Sequence, residues 1–221
     1  MTPQRPAPTC VLFDLDGTLL DTAPDLGQAL NRLLAERGRS PLSAERIRPV
    51  VSHGSIGLLG LGFGVAAGHP EFESLRARFL ALYGAALAEQ TTLFPGMAAV
   101  LQTLERRGMP WGVVTNKPAA LTEPLLAALG LAARAACIVS GDSVARAKPD
   151  PLPLLHACAR IGVAPDRCLY VGDAERDVQA GRRAGMTTLV ARYGYLAADE
   201  RPEAWGADGL IDSPQALCDW L

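Results

Sequence analysis

Asp14 and Asp16 place two carboxylates at i and i+2, directly after the apolar run Cys10-Val11-Leu12-Phe13 and before Gly17 and Thr18. Such a pair can act as nucleophile and general acid–base, or can ligate a hard cation. It can equally be a solvated turn or a helix cap. Three further polar clusters stand at comparable places: Thr115-Asn116, Lys148-Pro149, and Gly172-Asp173-Ala174-Glu175-Arg176-Asp177. Taken singly, Thr115 could cap a helix, Lys148 could be an exposed lysine, and Asp173 with Asp177 could be an acidic first helical turn. Those readings leave unexplained why a hydroxyl, an ammonium and a carboxylate pair all follow the same kind of element.

That element is a short apolar run. Cys10 to Phe13, Pro110 to Val114, Ala136 to Val139, Cys168 to Val171 and Thr187 to Ala191 read as buried strands, with polar residues gathered at their C-terminal ends. Between them lie helical patterns ended by glycine: Met97, Val100, Leu101 and Leu104 before Gly108, then Leu121, Leu125, Leu126 and Leu129 before Gly130, then Leu154, Leu155, Cys158 and Ile161 before Gly162. Strands alternating with helices predict an α/β fold, a parallel sheet covered on both faces with its ligand site at the carboxyl ends of the strands. The interval from Thr22 to Gln90 breaks the alternation. Leu26, Ala29, Leu30, Leu33 and Leu34 form one apolar stripe and Phe72, Leu75, Phe79, Leu82, Tyr83 and Leu87 another, while the glycine-rich piece from Gly54 to Gly68 is not assigned. A helical insertion after the first strand is expected, dividing the chain into a core of residues 1–21 and 91–221 and an inserted unit of residues 22–90.

The composition narrows the partners. A chain of 221 residues, 49% hydrophobic and 20% charged, is globular in type, and its formal charge of -2 supplies no broad positive field for nucleic acid. An anionic ligand must then be held by a local site of cations, helix N-termini or a metal, which suits a small phosphorylated metabolite. Five cysteines, Cys10, Cys137, Cys158, Cys168 and Cys218, form no CxxC pair and read as reduced and mostly buried. Met1 to Thr9 carries three prolines and no apolar h-region, and no stretch has the length of a membrane span, so a cytoplasmic protein with no membrane partner is expected, as monomer or homodimer.

Asp14-Leu15-Asp16-Gly17-Thr18, Thr115, Lys148 and Gly172-Asp173 with Asp177 resemble, in order, the four motifs of the haloacid dehalogenase superfamily. The resemblance implies a Rossmann-like core with a helical cap inserted after the first strand. It further implies Mg²⁺ held by Asp14, the backbone carbonyl of Asp16 and Asp173, with Asp177 supporting metal-bound water. Asp14 would be the nucleophile and Asp16 the general acid and base. Thr115 and the backbone N–H of Asn116 would hold the phosphoryl oxygens, with Lys148 neutralising their charge. The physical need is plain, because an anionic ester repels a carboxylate nucleophile unless cations converge. Lys148 is expected to matter for turnover and to be surplus to stability. In the family an aspartate at position 16 goes with an alkoxide leaving group, hence with a phosphatase or a phosphosugar mutase rather than a dehalogenase.

A phosphoacceptor signalling domain also combines Mg²⁺, an aspartate, a Thr or Ser and a Lys, but accepts phosphate on its third strand and lacks so large an insertion. Within the superfamily, Asp14 to Leu26, Gly112 to Pro118 and Tyr193-Gly194-Tyr195 are similar to bacterial phosphoglycolate phosphatases. Trp111, Arg192 to Tyr195 and Trp205 to Asp208 are similar to the related N-acetylmuramic acid 6-phosphate phosphatases. Substrate choice is expected in residues 22–90, where Ser52-His53-Gly54-Ser55 combines polar groups with glycine; His53 and Gly54 are the candidate contacts, and a surface loop is the alternative. Lys117 and Arg192 are candidates for holding a substrate carboxylate, or are ordinary surface charges.

Overall fold

The computed structural model describes residues 7–221, so the start of the proline-rich segment, residues 1–6, lies outside the described residues. Strand β1 (Cys10–Phe13) leads to β2 (Leu20–Asp21), followed by α1 (Ala23–Glu36), α2 (Ala44–Ile47), a 3₁₀ segment at Arg48–His53, α3 (Gly54–Phe63) and α4 (Phe72–Gly84). The chain returns through β3 (Thr92–Leu93) and α5 (Met97–Arg106). It then alternates through β4 (Trp111–Val114), α6 (Ala119–Ala128), β5 (Cys137–Val139), α7 (Leu152–Ile161), β6 (Cys168–Gly172), α8 (Glu175–Ala184), β7 (Thr187–Ala191) and β8 (Gly209–Ile211).

Six strands make one sheet in the order β5-β4-β1-β6-β7-β8, every neighbouring pair parallel. The four apolar residues of β1 are fully buried, since the strand has neighbours on both sides and helices on both faces. The chain first builds outward from β1 through β4 and β5, then returns to β6 on the other side of β1. This reversal opens a crevice beyond the carboxyl end of β1, the usual ligand position in such sheets. Asp14 therefore stands at the centre of the sheet edge because of strand order alone.

The inserted helices leave and re-enter the sheet layer through a two-stranded antiparallel ribbon, Leu20 opposite Leu93 and Asp21 opposite Thr92. Between these strands the described residues are helical or irregular. Leu26, Leu30, Leu33 and Leu34 of α1 and Phe72, Leu75, Phe79 and Tyr83 of α4 are buried in one apolar cluster that continues into Val11, Phe13 and Val171 of the sheet. Asp25 fastens the return path, its carboxylate accepting bonds from the backbone N–H groups of Gln90 and Thr91 at 2.9 Å each.

The unassigned glycine-rich piece is a helix, α3, whose period glycine hides: only Leu58 and Leu59 are buried along it. Gly57 is required there, because a Cβ would lie 2.7 Å from the Val50 carbonyl oxygen. Leu87 falls beyond the end of α4, and β8 is too short to announce itself in the pattern. Gly108, Gly130 and Gly162 take positive φ after their helices as expected. All five cysteines are free, Cys218 half-buried and the others buried. Among the described residues no helix is long and apolar enough to cross a membrane.

Candidate active site

Asp14 lies one residue past β1, Asp173 one residue past β6, and Asp177 in the first turn of α8. Oxygens of these three carboxylates lie within 4.8 Å of one another, and all three side chains are buried. Glycine makes this crowding possible. A Cβ on Gly17, whose φ is +86°, or on Gly194 would run into Asp173, and one on Gly172 would run into Asp177.

Lys148 comes from the loop after β5 and sits among them, its Nζ 2.8 Å from both Asp14 Oδ1 and Asp177 Oδ1. It also donates to the Val114 carbonyl at 2.8 Å and to the Tyr170 hydroxyl at 2.7 Å. The Asn116 side chain holds this loop, accepting from the Lys148 N–H at 3.0 Å and donating to its carbonyl at 2.9 Å. Thr115 Oγ1 accepts from the Lys117 N–H at 3.1 Å. The expectation that Lys148 is surplus to stability is overturned: it is 3% exposed and is the shared counter-ion of two buried carboxylates, which its removal would leave uncompensated.

Burial pushes the Asp177 carboxyl up, but Lys148 and Arg176 outweigh it and hold the group below its ordinary value. For Asp14 burial prevails over Lys148, and the carboxyl is raised. Asp173 is pushed up to about 7 by burial and by the neighbouring Asp14 and Asp177, despite bonds from Ser52 Oγ at 2.6 Å and the Tyr195 N–H at 3.0 Å. A buried trio with this much uncompensated negative charge fits a hard divalent cation, which favours carboxylate oxygens.

A thermal prediction follows from that charge. Because the folded Asp173 binds its proton more tightly than the unfolded one, metal-free stability from this group falls as pH rises from about 4 through about 7. A divalent cation is therefore expected to raise the melting temperature, and by more at about pH 8 than at about pH 5.5, where a proton competes for Asp173. Unfolding with and without chelator at both pH values checks this, and an equal or absent shift at both refutes it.

Asp16 lines a cavity of about 520 Å³ together with Asp14, Thr115 and Asn116, with Arg176, and with His53 and Gly54 from the inserted segment. Both bonded donors of Asp16 meet the same oxygen: Thr22 Oγ1 at 2.6 Å and Lys117 Nζ at 2.7 Å reach Oδ1. Among the sequence candidates, Asp14, Asp16, Thr115, Asn116, Lys148, Asp173 and Asp177 thus converge, and His53 and Gly54 join the cavity wall. Arg192 does not: it is partly exposed and paired with Asp212 and Glu203.

Several contributors stand in segments that the sequence singles out, but nothing in the pattern says what they touch. Thr22 and Ser52 bond Asp16 and Asp173 across 6 and 121 residues, and Arg176 donates to the Ser52 carbonyl at 2.6 Å, tying α8 to the inserted helices. Tyr193 and Tyr195 brace the same corner, Tyr193 donating to the Thr18 carbonyl at 3.1 Å and Tyr195 to Asp21 at 2.7 Å. Arg48 closes on Asp21 from the inserted side at 2.9 Å.

A sequence model of the haloacid dehalogenase-like hydrolases matches residues 8–185, from before β1 to the end of α8, and so takes in every group of the carboxylate site. This chain belongs to that family. Its similarity to individual members extends further: 44% identity over 211 residues with an N-acetylmuramic acid 6-phosphate phosphatase of Pseudomonas aeruginosa, spanning 96% of this chain and 93% of the relative. A phosphoglycolate phosphatase of Xanthomonas campestris pv. campestris is 47% identical over 210 residues, 95% of each chain. The crystal structure of a predicted phosphoglycolate phosphatase of Haemophilus somnus superposes with a TM-score of 0.83 at 26% identity, covering 96% of this chain and 97% of the other. The α/β core expected from the strand pattern is thus the family's.

Proposed function

We propose that this chain is a Mg²⁺-dependent phosphomonoesterase acting on a small phosphorylated metabolite through an aspartyl-phosphate on Asp14. The observation carrying this reading is the placement of Asp14, Lys148, Asp173 and Asp177 at one sheet edge, with Asp16 and Thr115 opening into the same cavity. Asp14, the Asp16 carbonyl and Asp173 would hold Mg²⁺, with Asp177 behind them, and the ion would supply charge neutralisation for the transferring phosphoryl group.

The chain's own groups do the rest. Asp14 attacks phosphorus in line, and the ester oxygen departs with a proton from Asp16. Water then attacks the aspartyl-phosphate after giving its proton to Asp16, releasing phosphate and restoring both carboxyl groups. Lys148 offsets the equatorial oxygens' charge, and the Thr115 hydroxyl with the Asn116 N–H binds them. In this reading residues 22–90 are a cap over a core of residues 1–21 and 91–221. The bonds from Arg176 and Arg48 across the boundary draw it shut and exclude water other than the one that reacts.

The substrate proposed first is 2-phosphoglycolate, supported by the 47% identity with a phosphoglycolate phosphatase. N-acetylmuramic acid 6-phosphate is the second reading, favoured by the cavity: about 520 Å³ with an apolar wall of Leu26, Phe79, Leu80 and Leu121 exceeds what a two-carbon ester fills. Side-by-side kinetics on both substrates and a hexose phosphate panel, with product analysis, test the proposal. Phosphate is expected to appear in step with substrate loss, without interconversion of sugar phosphate isomers. Isomer formation with little free phosphate would make the chain a mutase.

A further inference from the structure

Lys117 is a buried cation of the cavity that the phosphoryl-transfer groups do not use. Its ammonium lies 2.7 Å from Asp16 Oδ1 and 4.6 Å from the centroid of the Tyr83 ring, and its side chain is 6% exposed. Lys148 is committed to Asp14 and Asp177, and Arg176 to the Ser52 carbonyl. Lys117 instead sits on the carboxylate assigned to the leaving oxygen. Beside it, the Tyr83 hydroxyl is buried without a hydrogen-bond partner among the described residues, an arrangement that is costly unless something else supplies one. Burial keeps that phenol above its ordinary value and so a neutral donor. Arg76, paired with Glu73 at 3.6 Å, stands on the same cavity wall.

Position then decides what Lys117 can meet. An ester oxygen within hydrogen-bonding reach of Asp16 brings the first atoms of the leaving group against the Lys117 ammonium and the Tyr83 face of the cavity. An uncharged leaving group offers the ammonium nothing to replace Asp16. A carboxylate attached near the ester carbon offers a second anion at the same place.

We propose that Lys117 is a specificity-determining residue that exchanges ion-pair partners, from Asp16 in the empty site to a carboxylate on the substrate's leaving group, with small movements at Tyr83 supplying a second donor. The inference rests on the phosphomonoesterase reading and narrows it to phosphate esters of hydroxy acids. The exchange frees the Asp16 oxygen contact for the leaving group only when the correct anion is present, so selectivity is expressed in kcat as well as KM.

The test compares 2-phosphoglycolate with 2-phosphoglycolamide on the full-length protein with Mg²⁺; p-nitrophenyl phosphate serves as a general phosphatase probe. Wild type is expected to prefer the acid by about 10- to 100-fold in kcat/KM. In Lys117→Met that preference should shrink to about threefold or less, and Lys117→Arg should restore part of it. Equal losses on acid and amide in Lys117→Met would mean a merely structural role and overturn the proposal. If Lys117→Met does not fold, the wild-type pair decides alone, since equal turnover of acid and amide overturns the proposal. Hydrolysis of p-nitrophenyl phosphate but not of 2-phosphoglycolate overturns it while sparing the phosphatase reading; failure on both overturns both.

Discussion

Asp14→Asn is expected to lower phosphate release by at least about 10³-fold while leaving the protein folded. The amide is nearly the same size and keeps a hydrogen-bond acceptor toward the Lys148 ammonium, which retains Asp177 at 2.8 Å as its charged partner. Burial already raises the Asp14 carboxyl, so little stability rests on its charge. The change in stability should stay within about 1 kcal/mol, which is about 2–4 °C for a chain of this length. The amide oxygen cannot form a phosphoryl ester that water then cleaves, and one charge is lost from the cation site. Steady-state phosphate release and thermal unfolding of the same preparation check the prediction. Wild-type turnover by the variant would remove Asp14 from the reaction, and parallel loss of folding and turnover would make it a structural residue.

Why these residues could be found before the fold was known is a matter of strand ends. In a parallel α/β sheet the C-terminal end of each central strand faces one crevice, so the apolar runs around Val11, Val113 and Leu169 each point to the polar residue that follows. Asp14, Thr115 and Asp173 were legible on that ground. What stayed hidden was whatever depends on contacts between distant segments. Nothing in the local pattern says that Ser52 reaches Asp173, that Thr22 and Lys117 share one oxygen of Asp16, or that Tyr195 links Asp173 to the ribbon at Asp21. The helix α3 is hidden for a different reason: Ile56, Leu58, Leu59, Leu61 and Phe63 are spread around it between glycines at positions 54, 57, 60 and 62, with no polar side to contrast with an apolar one. The spacing brings Lys148 to the sheet edge but not its energetics, because a lysine in a loop looks solvated until the two carboxylates around it are seen.

Lys148→Ala is therefore expected to cost both turnover and stability. Deleting the ammonium leaves Asp14 and Asp177 buried and facing each other without a shared counter-ion, the Tyr170 hydroxyl at 3.1 Å from Asp177 being a neutral donor that cannot replace its charge. Breaking a buried pair from one side costs about 3–5 kcal/mol. The sign of its pH dependence follows from the same charges. Without Lys148 the folded carboxyl groups hold protons more tightly than the unfolded ones, so the deficit is greatest at neutral and alkaline pH and shrinks as pH falls toward the ordinary carboxyl range. Melting temperatures of variant and wild type at about pH 8 and about pH 5 measure it, the gap being expected to be clearly larger at pH 8. A divalent cation should narrow that gap by supplying positive charge to the carboxylates. It should not restore turnover, because the phosphoryl oxygens still lack the charge that Lys148 would supply to them. An inactive variant that melts with wild type at pH 8 would return Lys148 to the status of a residue surplus to the fold, and an equal gap at both pH values would show that charge is not the origin of its contribution.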